Sequence, residues 1–203
     1  MVLAGAGLLA GALWWRKNPS ACPYSQRFWV EAPHPLITRD RLRSVLEPRG
    51  GERVLEIGPG TGYYTLDLAR WLVPGGSVEI FDLQQEFLDH AMRRVVEAGL
   101  VNVHSTQGDA TSLPFEDDSF DAILLTAVLG EIPDQDVAMR EIARVLKPDG
   151  RLVVGELIGD PHFTSPGALE RRAKPAGLHL ERRSGPAFGY FARLAPVQPE
   201  ETK

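Results

Sequence analysis

The chain has 203 residues, a mass of 22.3 kDa and a formal net charge of −5, a length that suits one domain plus an appendage. Apolar residues at 43% and charged residues at 24% exclude wholesale disorder. The one cysteine, Cys22, excludes a disulfide framework, a cysteine-cage zinc site and an Fe–S cluster, and the acidic balance speaks against a broad nucleic-acid-binding face.

The charge is unevenly spread. Residues 1–53 carry a net +4 and residues 54–203 a net −9. From Met1 to Trp15 there is no charged side chain, and Arg16 and Lys17 follow. As a helix, such a stretch spans roughly 22 Å, short against a bilayer core of about 30 Å. Three readings compete for residues 1–17. A cleaved signal peptide needs basic residues before the apolar run, and there are none. A frayed tail or a helix packed on the domain is the plain alternative. A membrane anchor, with Trp14 and Trp15 at the interface, is favoured, and Arg16, Lys17 and Arg27 then hold the domain on the cytoplasmic side.

Residues 18–48 form an arm and a capping helix. The arm (18–37) is rich in Pro and aromatics, which block long regular elements. Thr38 caps a helix through Leu42, Val45 and Leu46, stopped by Pro48 and Gly50. Residues 49–196 then alternate strand and helix, and 197–203 form a tail. Strands are expected at Arg53–Ile57, Ser77–Phe81, Val101–Thr106, Phe120–Leu125, Arg151–Leu157, Leu178–Ser184 and Tyr190–Ala195. Helices are expected at Tyr63–Val73, Gln84–Ala98, Asp134–Leu146 and Ser165–Ala176, with Pro166 suited to a first turn and Pro175 ending or kinking the last. This order gives an α/β fold with a Rossmann-like, doubly wound, seven-stranded sheet. It is mostly parallel, with an antiparallel last strand because no helix separates the final two.

The chemistry is concentrated at the strand tips. Val54–Ile57 feed Gly58-Pro59-Gly60-Thr61-Gly62, a turn with glycine at alternate positions, and a helix follows. Glycine lets the chain bend sharply and lets a ligand lie against the backbone. Twenty residues after Gly62, at the tip of the second strand, Asp82 is placed to accept ribose hydroxyls. The third glycine comes one residue too early for the dinucleotide pattern G-x-G-x-x-G. Glu56, two residues before Gly58, repels a pyrophosphate but suits a cofactor carrying an ammonium and a sulfonium. Taken singly, Asp82 also reads as a helix cap and Asp109 as a turn residue. Glu56, the glycine turn, Asp82 and Gly108-Asp109 at successive tips are hard to produce by accident.

The stretches VLEIGPGTGYYT (54–65), EIFDLQQEFLDHA (79–91), GDATSLPFEDDSFDAILL (108–125), LKPDGRLVVGEL (146–157) and SPGALERRAKPAGL (165–178) resemble a class I S-adenosylmethionine-dependent methyltransferase of the small-molecule, quinone- or lipid-methylating type. The arm CPYSQRFWVEAPHP (22–35) is similar to the lead-in of some bacterial members. The resemblance implies S-adenosyl-L-methionine as cofactor, with Gly58, Gly60 and Gly62 along its methionine part and Glu56 toward the amino group. It places Asp82 on the ribose, Leu83 against the adenine, Asp109 on the adenine amino group and Ala110 beside the ring. Thr126 offers its carbonyl to the ammonium.

A sulfonium methyl is already activated, so a base is optional, and positioning with exclusion of water carries the reaction. Glu131, where relatives often have histidine, and Tyr63, whose ring can face a cation, are the weak catalytic candidates. Tyr64 shares that second reading; packing is the alternative for both rings. His34 and His162 read first as packing residues, and Tyr24, Phe28 and Trp29 as either packing or a lid. No metal site and no nucleic-acid partner are expected. The acceptor is expected to be small and apolar or lipid-like, selected by the arm and by the loops after the fourth and fifth strands. A nucleotide-dependent oxidoreductase and a membrane-tethered, cofactor-binding interaction protein without turnover are the rivals.

Overall fold

The computed structural model describes residues 19–31 and 34–198. The segment 1–17, assigned above to an anchor, lies outside the described residues. Among those described, no helix is long and apolar enough to cross a membrane.

The arm contains a 3-10 turn at Tyr24–Gln26 and the short helix α1 (Phe28–Glu31). Helix α2 (Arg39–Leu46) begins where the Thr38 hydroxyl accepts from the amide of Arg41, and it stops at Glu47 in a left-handed conformation, φ 50°. The alternation follows: β1 (Arg53–Ile57), α3 (Thr65–Trp71), β2 (Ser77–Asp82), α4 (Gln85–Glu97), β3 (Val103–Gln107), β4 (Phe120–Thr126), α5 (Gln135–Val145), β5 (Leu146–Leu157), α6 (Pro166–Ala173), β6 (Leu178–Ser184) and β7 (Gly189–Pro196).

Seven strands form one sheet in the order β3-β2-β1-β4-β5-β7-β6. The first five pair parallel, and β7 runs antiparallel between β5 and β6, as the helix-free connection before it requires. The period-two alternation of each strand divides the core between two faces. Leu55, Ile57, Ile123 and Leu125 pack with Met139 and Ile142 of α5 and Leu169 of α6 on one face. Val54, Val78, Ile80 and Leu124 pack with Leu42 and Leu46 of α2, Leu68 of α3 and Leu88 of α4 on the other.

Three expectations need correction. The helix expected over Tyr63–Val73 is confined to Thr65–Trp71, because the glycine turn continues through Tyr64, whose hydroxyl bonds the carbonyl of Ile37 at 2.5 Å. The third strand starts at Val103, since Val101 is exposed and the Asn102 amide is drawn away to the carbonyls of Ala69 and Gly76. The fifth starts at Leu146, which pairs with Phe120. Arg151 then pairs with Ala122, so residues 147–150 bulge out of the ladder instead of preceding it.

Candidate functional site

In this order β1 is the central strand of the parallel set, with β2 and β4 on either side. Its tip is the glycine turn. Gly58, φ 68°, lies so close to Val128 that a Cβ would come within 2.2 Å of a Val128 methyl carbon. Glycine is therefore required there both by conformation and by space. Val128 reaches that position because Ala127 takes a left-handed conformation, φ 55°, rare for alanine and stored at the tip of β4. Gly60 and Gly62 also have positive φ.

The carboxylates around this turn share one property. Glu56 is buried beneath it, accepts from the Thr65 hydroxyl at 2.5 Å, and burial pushes its carboxyl up to about 8 despite that bond. Asp82, at the tip of β2, accepts from the amide of Gln84 at 2.8 Å and is pushed up to about 6 by burial. Glu131 follows the tip of β4; burial raises it to about 8, against a bond from the Cys22 amide at 3.0 Å, with Asp160 and Asp82 adding repulsion. Glu156, near the end of β5, is raised to about 8 by burial, and its Oε1 has no hydrogen-bond partner. Asp160 is raised by burial. None of these five is in an ion pair among the described residues. The hydroxyls of Thr61 and Thr126 are likewise buried without a partner.

The remaining candidates divide. Leu83 is exposed beside Asp82. Asp109 is exposed, and its Oδ1 accepts from both the amide and the hydroxyl of Thr111, so one oxygen serves a turn and lowers the group's pKa. Ala110 packs against the core. The Tyr63 ring does face a cation, but it is Arg39, 4.2 Å from the centroid. Tyr64 is a core residue. His34 stands edge-on to Tyr63, and burial lowers its pKa. Tyr24 packs edge-on to Phe87, while the side chain of Trp29 is outside the description.

Sequence reasoning passed over Gln84, Glu156 and Asp160. A Cβ on Gly130 would lie 1.8 Å from the carbonyl of His162, so the loop after β5 rests backbone against backbone on the turn after β4. That contact brings donor atoms of Glu131, Asp160 and His162 within 4.8 Å of one another, the one such group with metal-ligand chemistry among the described residues. Asp160 already accepts there from the His162 amide at 2.6 Å. A cavity of about 320 Å³ opens between the two loops, with a mixed lining of Gly130, Gln135, His162, Phe163, Thr164, Ser165, Ala168 and Arg172 and with Pro19 of the arm.

Residues 55–154 match the methyltransferase domain family. The chain is 34% identical over 157 residues to the ubiquinone/menaquinone biosynthesis C-methyltransferase UbiE of Vibrio vulnificus, covering 75% of this chain and 60% of that protein. It is 40% identical over 157 residues to the protein of the same name from Vibrio parahaemolyticus, covering 75% and 61%. The chain thus spans about 60% of the length of the curated relatives it matches. A SAM dependent methyltransferase from Aquifex aeolicus superposes with a TM-score of 0.79 at 21% identity, over 88% of this chain and 100% of that one.

Proposed function

We propose that the chain is a class I S-adenosylmethionine-dependent methyltransferase that methylates a small apolar acceptor of the quinone kind; the match of residues 55–154 to the methyltransferase domain family and the likeness to the UbiE proteins support this reading. The observation that carries this reading is the set of buried and half-buried carboxyl groups, none in an ion pair among the described residues, about the glycine turn. A cationic adenosyl donor stabilises the ionised form of these groups, whereas a pyrophosphate would disfavour it further. The partnerless hydroxyls of Thr61 and Thr126 fit a site built to meet polar groups of a ligand. The relatives' names support the quinone-like acceptor, and the cavity between the loops after β4 and β5 lies where such an acceptor would enter.

When bound, S-adenosylmethionine supplies a methyl group already activated on a sulfonium. Asp82 accepts the ribose hydroxyls. Leu83 and Ala110 bracket the adenine, and Asp109 uses the oxygen left free by Thr111 for the adenine amino group. Gly58, Gly60 and Gly62 let the backbone approach the methionine part. The Thr126 carbonyl accepts from the ammonium, and Glu56 beneath the turn ionises as the cation arrives. Positioning and exclusion of water do the rest, and proximity of this kind is worth ~7–11 kcal/mol. Tyr63 borders the glycine turn, but its ring is taken by Arg39 and it is assigned no chemical step.

The test is incubation of the full chain with the methyl-labelled donor and a membrane lipid extract. A labelled apolar product supports the reading; binding of the donor without any product would leave a cofactor-binding protein. Residues 1–17 are proposed to anchor the domain on the cytoplasmic face of a membrane, where such an acceptor dissolves. Their deletion is expected to abolish a membrane-pelleted fraction, and equal solubility of both forms would remove the anchor.

A further inference from the structure

We propose that Gln84 is a positioning residue that ties residues 19–27 as a strap across the mouth of the site and so sets how fast the donor enters and leaves. The proposal rests on the reading of that mouth as the donor site. It starts from connectivity. The Gln84 amide makes two bonds to the arm: Nε2 donates to the carbonyl of Cys22 at 2.8 Å, and Oε1 accepts from the amide of Tyr24 at 3.1 Å. The amide of Cys22 itself donates to Glu131 at 3.0 Å. Gln84 follows the tip of β2 and Glu131 the tip of β4, while β1 lies between them. A segment bonded at both flanking tips crosses in front of the central one, where Gly58–Gly62 turn.

Gln84 also reaches inward, its backbone amide bonding Asp82 at 2.8 Å. One residue thereby joins the carboxyl group proposed for the ribose to the strap, and the strap joins it to Glu131 beyond β4. The outer fastening is Tyr24, whose hydroxyl meets His90 Nδ1 at 3.0 Å and whose ring packs on Phe87. No residue of the Tyr24–Gln26 turn is buried. The strap is therefore held by hydrogen bonds that water can replace, the kind of segment that opens locally without unfolding the domain. An adenosyl-sized donor needs that opening in order to pass.

The experiment uses the full chain and S-adenosylhomocysteine as probe, with association and dissociation rates from surface plasmon resonance. Gln84→Ala is expected to raise both rates by about tenfold, the scale of the hydrogen bonds lost, while Kd moves less than about threefold and the unfolding midpoint holds. Gln84→Glu keeps the acceptor for Tyr24 but loses the donor for Cys22, and should fall between. A dissociation rate that rises in step with Kd, with association unchanged, would make Gln84 a ligand contact and overturn the strap; so would rates within about twofold of the parent's. Amide hydrogen exchange at Cys22 and Tyr24 reads the strap without ligand, and Gln84→Ala should speed it about tenfold. No change there contradicts the proposal even if the probe does not bind, whereas faster exchange without binding would sink only the donor reading.

Discussion

The two ends of one sheet treat their carboxylates in opposite ways. At the amino-terminal edge, buried Arg151 pairs with Glu52 at 2.6 Å and bonds the carbonyls of Leu46 and Glu47, while Lys147 pairs with Asp121 at 2.5 Å. Asp121 also takes the amide of Arg53, and these partners lower its pKa against the effect of burial. At the carboxyl-terminal edge, Glu56 and Glu156 are buried and Asp82, Glu131 and Asp160 half-buried, none of them in an ion pair among the described residues, and burial raises every one. The first edge is finished by the chain itself. The second is electrostatically incomplete, and that incompleteness is what a cationic ligand would relieve.

Breaking the finished edge should cost the most stability. Glu52→Ala strands the Arg151 charge in a buried place and is expected to destabilise the fold by about 3–5 kcal/mol, read from urea unfolding, with donor affinity of the folded fraction unchanged. At the other edge the effect moves from stability to binding. Asp82→Ala removes charge-assisted bonds worth ~1.5–3 kcal/mol and should weaken the donor about 10- to 150-fold by calorimetry, with stability unchanged or raised. Unchanged affinity would break the assignment of Asp82.

The pH dependence sharpens the contrast. Glu56, Glu131 and Glu156 hold their protons more tightly folded than unfolded, since each rises from 4.5 to about 8. Their contribution is complete below the unfolded value and is lost as pH climbs through the folded one. Asp121, lowered by its partners, contributes above its unfolded value of 3.8 and loses that as pH falls through the folded one. Unfolding measured from pH 5 to 8 should therefore show declining stability, and Glu156→Gln should flatten the decline. The smallest effect expected is on chemistry. Glu131→Gln can still accept from Cys22 and should slow turnover less than about tenfold, below the ~10²–10⁴ of a general base. A loss of that larger size would make Glu131 the base.

What the sequence made legible was local. β1 falls at Arg53–Ile57, the stretch the apolar run marks, and Thr38, Pro166 and Pro175 end or begin helices for reasons carried in their own side chains. The glycine turn and Asp82 were readable because strand–turn–helix spacing fixes them. Other features depend on distant partners. Asp160 and His162 join Glu131 through a backbone contact at Gly130, and Gln84 meets the arm some sixty positions away. Ala127 is left-handed at a place where alanine gives no warning, and the Leu146–Phe120 pair extends β5 back across Pro148 and Gly150, ahead of the expected start at Arg151.

The most direct measurement is a calorimetric titration of the full chain with S-adenosylmethionine near pH 7, repeated in buffers of different ionisation enthalpy. A cation arriving among carboxyls pushed up to about 8 draws protons from them, so the account predicts binding accompanied by proton release. No binding of that donor, or binding of a pyrophosphate dinucleotide in its place, would contradict it.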